Sequence, residues 1–200
     1  MSGVTEVNQA RTQNKANEIL TIAGSSSLIA QDAAGQVTKA PTPASWSSAY
    51  TLVYDAWGRL VTVLSGSSTV ASYAYDGQNW RITKTAGSAV WDYYYNSAWQ
   101  LLQENEGSVL SAERLYVWGL LGVNNLVWQW LTSGTEYYMM ADPNGCVTAV
   151  TTYTGTVERR FGYEAYGTPR FMDASFNPAS SSTTWTFLYD SCLLYTSRCV

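Results

Sequence analysis

Histidine is absent from the 200 residues, and with it go the usual general base and the commonest metal ligand. Neither a Ser–His nor a Cys–His nucleophile can be assembled within the chain. Cysteine is nearly as scarce: Cys192 and Cys199 fall in an anomalous C-terminal stretch, which leaves Cys146 and too few ligands for a metal centre. Lys plus Arg number 11 against 15 Asp plus Glu, giving a formal charge of −4. Without a basic run, the electrostatic footprint of a nucleic-acid binder is missing. No apolar run reaches membrane-spanning length, and no helical heptads recur. No glycine loop opens a helix after a strand to cradle phosphate, so neither cofactor nor metal is expected. Residues 1–17 are polar and do not read as a secretory signal.

What the chain does have is a recurring phrase. It is clearest as Tyr54-Asp55-Ala56-Trp57-Gly58, returns as Tyr75-Asp76-Gly77-Gln78-Asn79, and loosens to Tyr95-Asn96-Ser97-Ala98-Trp99. Related phrases are Asp32-Ala33-Ala34-Gly35, Asp142-Pro143-Asn144-Gly145 and Glu164-Ala165-Tyr166-Gly167. The acidic or amide position falls at 32, 55, 76, 96, 142 and 164, in steps of 23, 21, 20, 46 and 22. The step of 46 is a double one, with Tyr116-Val117-Trp118-Gly119 near the missing copy. A fixed period of about 21 residues signals a repeat architecture. The alternative is an ordinary antiparallel meander, and the even spacing favours the repeat.

Each phrase reads as a tight turn between two strands. The Asp or Asn carboxyl or amide oxygen accepts backbone N–H groups just ahead of it, and Gly three residues later tolerates positive φ. The expected turn residues are Asp32, Gly35, Tyr54, Asp55, Gly58, Tyr75, Asp76, Asn79, Asp142, Gly145, Tyr166 and Gly167. Asn79 takes the left-handed position where Gly is missing, with Trp80 reading as an extra residue. Between turns lie β-branched and aromatic residues, among them Val61, Val63, Val70, Tyr73, Ile82, Val90, Trp91, Val147 and Val150. Arg81-Ile82-Thr83-Lys84-Thr85 alternates as a sheet with one wet face requires. Fifteen Tyr and 9 Trp outweigh 4 Phe, which suits half-wet sheets because each ring keeps a polar edge. The expected fold is all-β and antiparallel.

The chain divides, on this reading, into degenerate repeats and a Pro/Ser-rich connection over 1–49, and the main repeats over 50–172. A Pro/Ser-rich loop follows over 173–184, then the start of a further strand over 185–190. Asn14-Lys15-Ala16-Asn17-Glu18 looks like a degraded turn, so the chain begins inside the array. Residues 191–200 read as a non-native tail resembling a translated sequencing adapter. Their alternative is a genuine strand with a Cys192–Cys199 bridge.

Taken together, these residues resemble the RHS/YD-repeat family, in particular its RHS repeat-associated core, across roughly residues 14–189. The most specific stretch runs from Ala141-Asp142-Pro143-Asn144-Gly145-Cys146-Val147 through Glu158-Arg159-Arg160-Phe161 to Tyr166-Gly167. Asn96 for Asp and Trp99 for Gly depart from the pattern. The resemblance implies a long β-ribbon spiralling into part of a hollow shell that encloses or presents a C-terminal, toxin-like polypeptide. It also implies a bacterial protein acting outside the cell or at its surface, whose main partner is the remainder of its own chain.

The family's self-cleavage is attributed to aspartates, and paired carboxylates can share a proton. Asp142-Pro143-Asn144-Gly145 has a suggestive form but stands where the family places an ordinary turn, so the chain is not expected to be an enzyme. Glu158 and Arg160 share one face of a strand and suggest a cross-strand ion pair. Trp128-Gln129-Trp130 puts two indoles on one face, a possible glycan contact. Its functional counterpart is a cell-surface adhesion module that binds carbohydrate or a neighbouring-cell protein.

Overall fold

The computed structural model describes residues 10–42, 45–107, 112–120, 124–164, 169–180, 185 and 187–188. The expected turn residues Tyr166 and Gly167 and the tail at 191–200 lie outside the described residues. Among the described residues there are strands and turns and no helix.

The chain forms two compact units, Met1–Ser88 and Ala89–Val200. The first holds β1 (Arg11–Gln13), β2 (Ile19–Ile22), β3 (Ala30–Gln31), β4 (Val37–Thr42), β5 (Ser45–Tyr54), β6 (Leu60–Ser65), β7 (Ser68–Tyr75) and β8 (Arg81–Ala86). Strands β1 and β2 pair on their own, while β3 to β8 lie side by side in chain order, each antiparallel to the last. The second unit holds β9 (Ala89–Tyr95), β10 (Leu101–Glu106), β11 (Arg114–Trp118), β12 (Leu126–Leu131), β13 (Glu136–Ala141), β14 (Val147–Thr152), β15 (Val157–Tyr163) and β16 (Pro169–Met172). These too are antiparallel and in chain order. The all-β antiparallel expectation is met.

Short links explain this simplicity, because a chain turning every ten residues or so can only lay each strand beside its predecessor. One inner position recurs eight residues after the turn's Asp or Asn. Val63, Lys84, Glu104 and Val150 occupy it, at 1, 8, 3 and 0% exposure. The alternation expected in 81–85 is broken: Lys84 is buried opposite Tyr73 while Ile82, two residues away, is exposed where the ladder shifts register between Ala74 and Tyr75. The ladder, not local hydrophobicity, sets which side faces in, since a one-residue slip would reverse every repeat.

The proline-bearing stretch near residue 40 differs from the expected connection, for β4 runs through Pro41, which sits opposite Ala49 in β5. The second unit carries the larger apolar core: Tyr93, Leu101, Tyr116, Leu126, Met139, Val147, Val150 and Phe161, covered by Trp185, Phe187 and Leu188. Residues 185, 187 and 188 do not continue the sheet as a strand. They lie across its inner face, with the Val147 N–H donating to the Leu188 carbonyl at 2.8 Å.

Candidate functional site

The turns share one geometry, centred on Asn14, Asp32, Asp55, Asp76, Asn96, Asp142 and Asp173. In each, the backbone N–H of this residue donates to the carbonyl four residues ahead at 2.9–3.0 Å. The N–H three residues ahead donates back to its carbonyl. Its Oδ1 accepts the N–H groups two and four residues ahead at 2.8–3.1 Å. The third residue is left-handed in every case, whether Gly35, Gly58 and Gly145 or Asn17, Asn79, Trp99 and Phe176. This is a type I turn closed by a bulge, and the strand registers shift beside it at Tyr54, Tyr75 and Ala141.

Two readings of the sequence change here. Trp80 is not an insertion: Asn79 stands where Gly58 does, and Trp80 stands where Arg59 does. The expected loop after residue 172 opens with the same turn, Asp173–Phe176, at the opposite end of its strand from Asp142. It escaped the period because the period counts one end of the hairpins only.

The tyrosine before the turn has a defined task. Tyr54 Oη donates to the Val37 carbonyl at 2.9 Å and Tyr75 Oη to the Leu60 carbonyl at 2.8 Å. Tyr163 Oη donates to the Val147 carbonyl at 2.5 Å. Each acceptor lies five residues beyond the preceding turn's Asp, so each of these three tyrosines latches its repeat to the one before. Trp118, near the copy missing from the sequence period, takes the same role: its Nε1–H donates to the Leu101 carbonyl at 2.7 Å. The tyrosine is legible in the sequence, but its backbone acceptor has no side-chain signature.

Arg59 ties successive turns together. Its Nε donates to Asp55 Oδ2 at 2.7 Å, and its Nη1 reaches the Asp76 carbonyl at 3.0 Å and Asn79 Oδ1 at 3.2 Å. The guanidinium also lies over Trp57 and Tyr75. At Asp55, desolvation favours the neutral acid. The Arg59 N–H and guanidinium and the Trp57 N–H outweigh it, holding the carboxyl below the usual range. Arg160 gives its Nε–H to the Ala174 carbonyl and stacks over Phe176, in place of the expected cross-strand ion pair.

Inside the second unit, Glu104 is buried and accepts from Arg114 Nη1 and Tyr116 Oη, both at 3.0 Å. Burial works to neutralise Arg114, and Glu104 reverses this, leaving the guanidinium more firmly protonated. With both carboxylate oxygens bonded, the cluster is a polar pin in the core. Trp128 and Trp130 lie on the other face from buried Gln129, each half-buried, opposite Tyr138 and Glu136 respectively. Asp142 serves its turn, with Oδ1 accepting from Asn144 and Cys146.

Residues 54–90, which contain the Tyr75 latch between two complete turns, match the family model described as RHS Repeat. Over these residues the chain is similar to an RHS repeat. No curated protein matches it. Among solved structures it is similar to the Photorhabdus luminescens Tc holotoxin pore carrying a mutated TccC3. That match has 14% identity and a TM-score of 0.55, over 78% of this chain and 8% of that one. A crystal structure of TcdB2-TccC3-TEV aligns at 13% identity and a TM-score of 0.45, over 75% of this chain and 9% of that one. The chain thus spans less than a tenth of either, and the fold likeness rests on the first.

Proposed function

We propose that this chain is a stretch of RHS shell wall, non-catalytic in itself, that helps enclose or present a further polypeptide of the same protein. The carrying observation is the latch: at Tyr54, Tyr75, Trp118 and Tyr163 a side-chain hydrogen bond runs to the same backbone position of the preceding repeat, a link by which equivalent units can build a wall. The similarity to the Tc holotoxin pore supports it, as does an apolar inner face already covered by a later segment of the chain. The protein would act outside the cell or at its surface, and its 141–167 stretch would belong to the RHS repeat-associated core. On this reading, 1–49 and 50–172 are successive parts of the wall, and 191–200 contributes nothing to it.

A photo-crosslinking amino acid in the full-length protein tests this. Placed at buried Val63, it should join the wall to the C-terminal polypeptide, and placed at exposed Val53 it should not. Equal crosslinking from both positions would overturn the reading.

A second reading, an adhesion module contacting glycan through Trp128 and Trp130, is favoured by one observation: both indoles lie on the face away from the core. Saturable glycan-array binding lost on Trp128→Ala would support it. Binding unchanged by that substitution would remove it.

A further inference from the structure

Two neighbouring hairpins of the second unit leave a depression between their tips. One tip joins β12 to β13 and the other joins β14 to β15, and Tyr137 pairs with Thr152 across the strands between them. The open space measures about 680 Å³ and is lined by Gly134, Thr135, Glu136, Tyr138, Thr152 and Tyr153. That volume falls in the roughly 300–1,000 Å³ range of small-ligand sites. Both tips repeat the hydrogen-bonded turn, but with Leu131 and Thr152 where the others have Asp or Asn. Their side-chain hydrogen bonds run between hydroxyls instead, Ser133 to Thr135 and Thr152 to Thr154 to Thr156, at 2.8–3.2 Å.

We propose that this depression is a binding site for a neutral saccharide, with Tyr153 as its stacking platform and Glu136 as its main hydrogen-bond acceptor. Tyr153 is 77% exposed at the tip of its turn, which the turn's backbone bonds hold without help from its ring. Among the described residues, no hydrogen bond or ion pair holds the Glu136 carboxylate, the Tyr138 phenol or the Tyr153 phenol. Three groups with unused bonding capacity therefore converge on one space. A pyranose offers what they lack: C–H faces for the rings, and adjacent hydroxyls that donate to the two carboxylate oxygens. The Thr135 and Thr152 hydroxyls, oriented by their neighbours, complete the lining.

Other ligand chemistries fit less well. No cation lines the depression, and the Glu136 carboxylate opposes phosphate, sulfate or an acidic sugar. A small alkylammonium would meet a carboxylate and two rings, but it would leave the threonine hydroxyls unused and most of the volume empty. The site stands apart from the shell reading, so its failure would leave that reading intact.

The test is saturation-transfer NMR on the whole chain with cellotriose, maltotriose and chitotriose, alongside a heparin disaccharide and choline as probes of the other chemistries. At least one neutral trisaccharide should show saturable transfer. Tyr153→Ala and Glu136→Gln should each weaken it about tenfold, and Trp57→Ala, at an exposed turn in the first unit, should leave it unchanged. Absence of transfer from all three sugars would overturn the proposal. So would binding of choline or heparin alone, or sugar binding indifferent to Tyr153→Ala.

Discussion

At the scale of single residues, the left-handed position of the turn carries the sharpest consequences. At Gly58 φ is +76°, and an added Cβ would lie 2.6 Å from Gln36 Nε2, the movable end of a flexible side chain. Backbone strain, not crowding, decides the cost there. Gly58→Val should destabilise the fold by roughly 1–3 kcal/mol in urea titration and Gly58→Asn by much less, because Asn tolerates this region. Trp99 is the converse case, a bulky residue at φ 68° that is 64% exposed. Trp99→Gly should stabilise by about 1 kcal/mol, read as a higher urea midpoint. The latch tyrosines add a pH dependence. Burial pushes the Tyr163 phenol far above its ordinary range, and the nearby charges of Cys146 and Asp142 add to the effect. A raised phenol contributes stability that is full below the unfolded pKa of about 10 and is lost as pH rises toward the folded value. Tyr163→Phe should therefore cost about 1 kcal/mol at neutral pH and show a shallower decline above pH 10. A decline equal to that of the unaltered chain would mean the phenol does not titrate with unfolding.

At the scale of the strand pair, the repeat fixes an inward position and then tolerates unusual occupants. The turns were legible in the sequence because their hydrogen bonds are local, made by an Asp or Asn side chain to its own next four residues. The occupants of the inner face were less so. Lys84 and Glu104 look like solvent residues, and only counting eight places from Asp76 and Asn96 reveals that they face in. Asp173 was hidden for a related reason, since neighbouring Pro and Ser made a loop the natural reading. The Glu104–Arg114–Tyr116 cluster shows what such an occupant costs. Glu104→Ala would take the bonded carboxylate from a buried guanidinium and from the Tyr116 hydroxyl, and should destabilise by about 3 kcal/mol. Glu164 and Arg170 form a pair of similar geometry in solvent, at 2.8 Å. Glu164→Ala should cost well under about 1 kcal/mol. Similar losses for the two substitutions would show that the inner pair is hydrated after all.

At the scale of the molecule, nearly every contact joins neighbours in the chain, as a ladder must. Among the described residues, Trp185, Phe187 and Leu188 depart from this. Phe187 meets Tyr116 edge-on at 5.0 Å and Trp118 at 5.3 Å, while Trp185 meets Tyr137 at 5.6 Å and Phe161 at 5.7 Å. Trp185 and Phe187 thus bridge β11, β13 and β15, which are not ladder neighbours. These apolar residues suggested a further strand. They are also what a segment needs to lie across an aromatic face, and such a short apolar run cannot say which. Phe187→Ala should remove about 3 kcal/mol from the second unit, through lost burial and the cavity left between Tyr116 and Trp118. Hydrogen exchange would locate the loss. Amides of β11 to β15 should exchange faster, while those of β5 to β8, in the first unit, keep their protection, as expected where stability is built from local units. Uniform loss across both units would mean the chain unfolds as one body. No loss in β11 to β15 would mean the segment merely rests on the sheet.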